Sequence, residues 1–245
     1  MEKKKSDISQ NIKRKAPQQP ERIIVFARAP LEGRVKTRLS PELDSGRILK
    51  LYKCFVTDTL NMLKQTGRPL CLCFDPPDAE NIMRDWLGDD IAFQAQDGNN
   101  LGEKMANAFA AAFASGVESA VLIGTDAPDL STKIIVRAFS ALTDHDAVIG
   151  PAADGGYYLI GFRTETFRHA VFETIPWSTA SVYAATLARL SAYGASVYRL
   201  PEWRDIDHYA DLCALARLLA LNESSAPATA AFLKETGICS IGNRT

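Results

Sequence analysis

The sequence predicts an α/β fold with a mixed, mainly parallel sheet and helices on both of its faces. Short apolar runs rich in β-branched residues alternate along the chain with segments whose apolar residues recur every three or four positions. This alternation, beginning near the N-terminus, is typical of a parallel sheet with crossover helices. The 245 residues are 47% hydrophobic and 23% charged, which excludes a collagen-like or wholly disordered chain.

Each predicted element has a local pattern behind it. The first strand is predicted over residues 22–29, where RIIVFARA is apolar and β-branched. The apolar residues between Ile48 and Leu63 follow helical spacing, and Gly67 and Pro69 end that helix. By the same patterns, further strands are predicted over 69–75, 91–95, 119–124, 146–150 and 196–200, and further helices over 79–87, 101–115, 131–142, 178–192 and 207–221.

Residues 155–163 (GGYYLIGFR) break the alternation, because they follow the strand at 146–150 almost directly. A parallel connection needs about a dozen residues or more. We therefore expect this segment to turn back as an antiparallel or bent strand. No internal repeat or linker divides the chain, so residues 21–245 are predicted to form one domain.

Charge is distributed unevenly, although the formal net charge is only −1. Residues 1–20 carry six Lys or Arg and two Asp or Glu, a balance of +4 that leaves −5 for the rest. The tail has few apolar residues to pack, and we expect it to be disordered. The acidic body argues against a specific nucleic-acid binder.

The chain shows no signal for a membrane or a secretory route. No apolar run approaches the roughly 18 residues that a membrane span needs, and residues 1–20 lack the apolar segment of a signal peptide. The five cysteines are scattered, and Cys71 and Cys73 are interpreted as buried thiols on one face of a strand. We therefore predict a cytoplasmic protein.

The first candidate site is the loop GRVKTRL at residues 33–39, which follows the first strand. Arg34, Lys36 and Arg38 suit a di- or triphosphate, and Gly33 lets the backbone approach a ligand closely. The loop is not a P-loop, because Val35 precedes the lysine where that motif has glycine. A solvated basic loop is the alternative.

Acidic residues form two further candidate clusters. Asp126 follows the apolar strand at 119–124, where a carboxylate is costly unless it is paired or binds a cation such as Mg²⁺. Asp205 and Asp207 share one face of an extended segment, and one of them is expected to complete the metal site. The other is expected to cap the final helix, as Asp129 or Ser131 is expected to cap the helix at 131–142.

The fourth cluster is the segment Asp154–Gly155–Gly156, within the motif GPAADGGYYLIGF. It lies at the start of the strand predicted over residues 155–163. Its glycines allow close approach of a ligand, and Asp154 is a candidate acceptor-binding residue or base. An ordinary Asp-Gly turn is the alternative. Tyr157 and Tyr158 point to opposite faces of a strand, so one is expected in the core and one in the cleft.

Other common chemistries lack their motifs. The chain has no G-x-S-x-G, no C-x-x-C, and no G-x-G-x-x-G after a strand. Its three histidines are far apart in the sequence, at positions 145, 169 and 208. A hydrolase elbow, a zinc site of paired cysteines and a dinucleotide site are therefore disfavoured.

Five motifs in order carry a resemblance to a known group of enzymes: FARAPLEGRVKTRL, GTDAPDL, GPAADGGYYLIGF, PWSTASV and WRDIDHYADL. Over about residues 22–212 the chain resembles an uncharacterised bacterial family of the nucleotide-diphospho-sugar transferase superfamily. The resemblance implies the glycosyltransferase-A fold. Better-known relatives are the 2-phospholactate and molybdenum-cofactor guanylyltransferases.

The resemblance also implies roles for single residues. It assigns the nucleotide phosphates to Arg34, Lys36 and Arg38, and the metal, Mg²⁺ or Mn²⁺, to Asp126 with Asp207 or, second, Asp205. It assigns the acceptor to Asp154, Gly155, Gly156 and Tyr157. Ala27, Gly33 and Thr125 join the expected nucleotide contacts, and Lys36, Asp126 and Asp154 are the expected catalytic residues.

Three functions are compatible with these motifs. Metal-dependent nucleotidyl transfer from a nucleoside triphosphate to a small anionic acceptor is favoured, since an anionic acceptor needs no general base. Glycosyl transfer from a nucleotide-sugar donor, with Asp154 as base, is the second. A nucleotide-binding protein without turnover is the third. The expected ligands are a nucleotide or nucleotide-sugar and a small molecule, and the oligomeric state is left open.

Overall fold

The computed structural model describes residues 21–239, so the predicted basic tail lies outside the described part of the chain. The strands are β1 (Glu21–Arg28), β2 (Leu70–Asp75), β3 (Ala92–Ala95), β4 (Ser119–Ile123), β5 (Ala147–Pro151), β6 (Tyr157–Arg163) and β7 (Val197–Arg199). The helices are α1 (Ser45–Lys64), α2 (Glu80–Leu87), α3 (Leu101–Ala114), α4 (Thr132–Ala141), α5 (Val182–Ala192), α6 (Tyr209–Leu221) and α7 (Pro227–Thr236).

The strands form one mixed sheet in the order β3-β2-β1-β4-β6-β5-β7. Its pairings are parallel except for those of β6, which runs antiparallel to both β4 and β5. Only residues 152–156 separate β5 from β6, a connection too short for a parallel crossover. The prediction of a reversed strand is confirmed for the reason given by the sequence.

Helices cover both faces of the sheet, as predicted. Ile23 and Val25 of β1 pack with α1, α2 and α4 on one face, whereas Ile24 packs with α3 and α5 on the other. The alternation of apolar side chains along β1 therefore supplies both cores, as a strand buried on its two faces requires.

A third apolar cluster lies on the side of α1 that faces away from the sheet. Leu51 and Phe55 of α1 pack there against Leu212 and Leu215 of α6 and against α7. Helix α7 was not predicted. Its N-terminus is held by Asp58 of α1, whose carboxylate accepts hydrogen bonds from the backbone N–H groups of residues 228 and 229 at 2.9 and 2.8 Å.

The cysteines of the described residues include both free thiols and a disulfide pair. Cys71 and Cys73 are buried free thiols on one face of β2, as interpreted from their spacing. Cys213 of α6 and Cys239, just after α7, form a disulfide that the scattered positions did not predict. Within residues 21–239, no helix is long and apolar enough to cross a membrane.

The strand order places a crevice at the carboxyl ends of β1 and β4. From β1 the chain moves outward to β2 and β3, whereas from β4 it moves to the other half of the sheet. The loops after these two neighbouring strands therefore diverge, and ligands of open α/β sheets bind at such a point. The predicted basic loop follows β1, and Asp126 follows β4.

Candidate active site

An open cleft of about 870 Å³ lies over this crevice. The basic loop and the residues after β4 form its centre. One end is formed by residues after β2 and β3, and the other by the start of β6 and the loop at 177–180. Residues from all four predicted clusters meet in this one cleft, although Lys36 and Asp207, for example, are 171 positions apart along the chain.

The basic loop is held in place by its apolar residues. Val35 and Leu39 are buried, while Arg34 and Arg38 remain exposed. Lys36 between them has a left-handed backbone, with φ of 45°. Such a conformation is unfavourable for a residue other than glycine and is often found at functional sites.

The Lys36 side chain turns inward to two carboxylates. Its Nζ lies 2.6 Å from an oxygen of Asp126 and 3.1 Å from one of Asp207, and only 5% of the side chain is exposed. Burial lowers the pKa of Lys36, but the two carboxylates outweigh that effect, so its pKa lies above the ordinary value. The ammonium therefore stays charged inside the protein.

The acidic segment 203–207 is fixed by backbone hydrogen bonds across the edge of the sheet. Trp203 donates to the carbonyl of Pro151, the last residue of β5, at 3.0 Å, and Ile206 donates to the carbonyl of Asp126 at 2.8 Å. Asp207 is thereby brought opposite Asp126. Arg38 also binds Asp207, with 2.7 Å between nitrogen and oxygen.

The predicted helix-capping residues are confirmed only in part. Ser131 caps α4, with its hydroxyl accepting from the backbone of Lys133 at 3.3 Å. Asp129 instead accepts a hydrogen bond from the indole of Trp203 at 3.2 Å. Neither Asp205 nor Asp207 caps α6, because His208 is its N-cap residue.

Asp205 lines the cleft beside the other carboxylates. Burial raises the pKa of Asp205 to about 7, and the negative charges of Asp126, Asp154 and Asp207 add to that rise. Lys36 opposes it. The carboxyl group of Asp205 is thus held close to several like charges.

At the other end of the cleft lie Asp154, Gly156 and Tyr157. The exposed Asp154 carboxylate accepts a hydrogen bond from the backbone N–H of Gly156 at 2.9 Å, an ordinary Asp-Gly turn. Tyr157 and Tyr158 point to opposite faces of the sheet, as the strand pattern predicts, but each packs against a core, so the expected division into one core residue and one cleft residue is wrong. Both rings nevertheless line part of the cleft.

Two predicted glycines lie outside the cleft lining, whereas Ala27 and Thr125 are part of it. Gly33 is exposed at a turn with φ of +71°, so the turn itself accounts for the residue. Gly155 packs against the backbone of Ala180. Its close approach is therefore to protein rather than to the cleft.

Sequence reasoning missed the end of the cleft formed after β2 and β3. Asp75 ends β2 and forms an ion pair with Lys104 of α3 at 2.6 Å. Gln96 and Asn99, which follow β3, also line the cleft. Searching the polar residues after every strand end would have found them, because parallel strands end at one edge of the sheet.

The acidic residues near Lys36 have the chemistry of a hard-cation site. Two carboxylate oxygens, from Asp126 and Asp207, converge on the positive Lys36 Nζ. Mg²⁺ typically uses one or two protein carboxylates together with phosphate oxygens. In residues 21–239 no group of three His, Cys, Asp or Glu side chains is arranged as a metal cage. The donor set fits a cation shared with a phosphate ligand rather than one enclosed by protein.

Comparison with solved structures identifies the class of protein. A protein from Desulfovibrio desulfuricans G20, provisionally assigned as a nucleotide-diphospho-sugar transferase, is 37% identical; the match covers 90% of this chain and 96% of that one, with a TM-score of 0.86. A family model described as an uncharacterized protein conserved in bacteria (DUF2064) matches residues 59–179. The chain belongs to this uncharacterized bacterial family of the nucleotide-diphospho-sugar transferase superfamily.

More distant structures share the fold. A 4-diphosphocytidyl-2C-methyl-D-erythritol synthase from Anaerococcus prevotii is 13% identical over 82% of this chain and 98% of that one, with a TM-score of 0.54. Rv0371C from Mycobacterium tuberculosis H37Rv, in complex with manganese, is 18% identical over 80% and 97%, with a TM-score of 0.52. No curated protein matches the chain.

Proposed function

We propose that this protein is a metal-dependent nucleotidyltransferase that joins a nucleoside monophosphate to a small anionic acceptor. The observation that carries the proposal is the combination of unpaired arginines with a carboxylate pair at one point of the cleft. Arg28 and Arg34 line the cleft and form no ion pair with any residue in 21–239, and Asp126 and Asp207 line the same cleft. Free guanidinium groups beside hard oxygen donors suit a triphosphate with a divalent cation.

In this reaction an acceptor oxygen attacks the α-phosphorus of a nucleoside triphosphate. A new P–O bond forms, and the bond to pyrophosphate breaks. An acceptor phosphate or carboxylate is already ionised, so no side chain has to remove a proton. The work left to the protein is to hold the two reactants in line and to offset their negative charge.

The proposal assigns the phosphates to Arg28 and Arg34, with Arg38 at the edge of the site. Arginine is suited to this role because its planar guanidinium can bind two phosphate oxygens at once. Asp126 and Asp207 would hold Mg²⁺ or Mn²⁺, which when bound supplies positive charge to the reacting phosphate. Asp205 is a further candidate for an outer contact at this point.

We assign the nucleoside and the acceptor, which the phosphate contacts do not cover, to opposite ends of the cleft. We assign the nucleoside to the end near Gln96, Asn99 and Lys104, where hydrogen-bonding groups lie against the sheet edge. We assign the acceptor to the end near Asp154 and Tyr157.

A thermal-shift screen tests the proposal, using the four common nucleoside triphosphates and several nucleotide-sugars with and without Mg²⁺ or Mn²⁺. A ligand at 100 times its Kd stabilises the folded state by about 2.7 kcal/mol. For a chain of this size that corresponds to a rise in Tm of roughly 5–10 °C. We expect such a rise with at least one triphosphate, dependent on the metal.

A matched pair of variants locates the binding. Arg34→Ala removes a guanidinium from the cleft and should abolish most of the shift. Arg47→Ala removes an exposed guanidinium of α1 that is paired with Asp44 outside the cleft, and should leave the shift intact. The absence of a shift with every triphosphate, or an equal loss in both variants, would contradict the assignment.

Glycosyl transfer is the second candidate, and it depends on Asp154. This carboxylate is exposed at the acceptor end, and its second oxygen makes no hydrogen bond with any other described residue. An inverting transfer needs such a base to take the proton from an acceptor hydroxyl. Stabilisation by a nucleotide-sugar and not by triphosphates would favour this reaction, as would release of a nucleoside diphosphate that Asp154→Asn prevents.

A further inference from the structure

The Lys36 ammonium has no hydrogen-bond donor left for a ligand. An ammonium has three N–H groups. Its acceptors are Asp126 at 2.6 Å, Asp207 at 3.1 Å and the backbone carbonyl of Ile206 at 2.7 Å. The ring of Phe55 lies 5.7 Å away, which closes one side of the charge.

Lys36 differs from the arginines of the same loop in its contacts and its exposure. Arg34 is exposed and makes no ion pair with the described residues, and the Arg38 side chain is 59% exposed. Both can reach a phosphate without breaking a buried contact. Lys36 would first have to leave two carboxylates, so its role in the ligand-free protein differs from theirs.

The position of Nζ is that of a cation between two anions. Asp126 and Asp207 would repel each other if nothing positive lay between them. A divalent ion held by the same oxygens would lie within a few ångströms of the ammonium. Two cations at that distance repel one another, so the ammonium weakens the binding of a divalent ion to the same carboxylates.

We propose that Lys36 is a resident counter-ion that competes with the divalent cation for Asp126 and Asp207, so that the cation binds weakly until a ligand phosphate draws the lysine away. The competition between Lys36 and the divalent cation is argued from the contacts of Lys36, Asp126 and Asp207 alone. The last clause rests on the proposed function, because it assumes that phosphates bind beside the loop.

The test measures Mn²⁺ binding to the protein without nucleotide, by electron paramagnetic resonance of the free ion. The wild type is compared with Lys36→Met, which keeps much of the side-chain length but removes the charge. We expect Lys36→Met to bind one Mn²⁺ at least ten-fold more tightly than the wild type. Adding Asp126→Asn to the variant should abolish the gain, because one of the two carboxylates is then lost.

Lys104→Met is the matched control, because it removes another partly buried lysine that pairs with a carboxylate in the same cleft. It leaves Asp126 and Asp207 untouched, so it should not tighten Mn²⁺ binding. Equal affinity in the wild type and Lys36→Met, or equal gains in both lysine variants, would overturn the inference. A gain in Lys36→Met that survives Asp126→Asn would overturn it as well.

Stability provides a second readout, since Lys36→Met leaves two carboxylates without their cation. Mn²⁺ should raise the Tm of Lys36→Met by several degrees more than that of the wild type, because the ion replaces the missing charge. If Lys36→Met does not fold, Lys36→Gln is measured in its place. Neither result involves nucleotide, so failure of the proposed nucleotidyl transfer would remove only the displacement of Lys36 by a phosphate and leave its competition with the cation standing. Absence of that competition would in turn leave the proposed nucleotidyl transfer standing.

Discussion

Replacing Gly155 by alanine should destabilise the protein by more than its backbone conformation alone requires. Gly155 has φ of +89°, and a Cβ placed there would lie 2.1 Å from the carbonyl oxygen of Ala180. The next two atoms, at 2.6 and 2.7 Å, also belong to the backbone of Ala180. No side chain can rotate away to make room, so the loop at 177–180 or the β5–β6 turn has to move.

Two contributions give the expected magnitude. A left-handed conformation costs an ordinary residue about 1–2 kcal/mol. Forcing an extra carbon into a packed region costs typically 1–3 kcal/mol more. Gly155→Ala should therefore lower the free energy of unfolding by about 2–5 kcal/mol, and ligand binding at the acceptor end should weaken because the displaced loop lines that end.

Urea unfolding at equilibrium measures the effect, and Gly116→Ala separates its two parts. Gly116 has nearly the same φ, +87°, but nothing lies within 4 Å of the added Cβ. The control should lose only the backbone part, about 1–2 kcal/mol. If Gly155→Ala is no more destabilising than Gly116→Ala, the close contact with the 177–180 loop does not have the role argued for it.

Three further predictions concern stability away from the cleft. Asp58→Ala should cost about 3 kcal/mol in urea unfolding, since it leaves buried backbone donors of α7 without an acceptor; an unchanged midpoint would refute this capping role. Hydrogen bonds from the backbone and hydroxyl of Ser196 hold the pKa of Asp146 below its usual range. Its stabilisation is therefore present above about pH 4 and lost as the pH falls through the lower folded-state pKa, so the stability gap between wild type and Asp146→Asn should narrow in acid. Cys213→Ser opens a loop closed over 26 residues and should cost about 3–4 kcal/mol under oxidising conditions, but little in the presence of a thiol reductant that opens the same bond in the wild type.

Much of the fold could be predicted because apolar periodicity responds directly to burial. The strand at 119–123 is buried at every position, and its sequence is correspondingly apolar from Ala120 to Ile123. The reversal of β6 followed from chain length, since five intervening residues cannot form a crossover. Helix α7 escaped prediction because its short Ala- and Thr-containing segment has a weak apolar pattern and is defined by packing against α1.

The candidate site could be predicted only in part, for a related reason. Residue type and strand ends indicated which side chains face the cleft, but not which of them pair with one another. The ion pair of Lys36 with Asp207 depends on tertiary contacts over 171 positions, and the Cys213–Cys239 disulfide depends on how α6 and α7 pack. No local pattern contains that information.

The apolar cluster of α1, α6 and α7 has a consequence for how the site is held together. The basic loop enters α1, and the acidic segment at 203–207 enters α6, so packing these helices brings the two segments together. The entropy of closing so long a loop is therefore offset by hydrophobic contacts outside the cleft, and the charged groups themselves need contribute little to it. The packed helices thus set the positions of the two segments that carry the charged cleft residues. Residues of these segments can be substituted, and the ligand preference can change with them, while the packed helices keep the spacing between the two halves of the site.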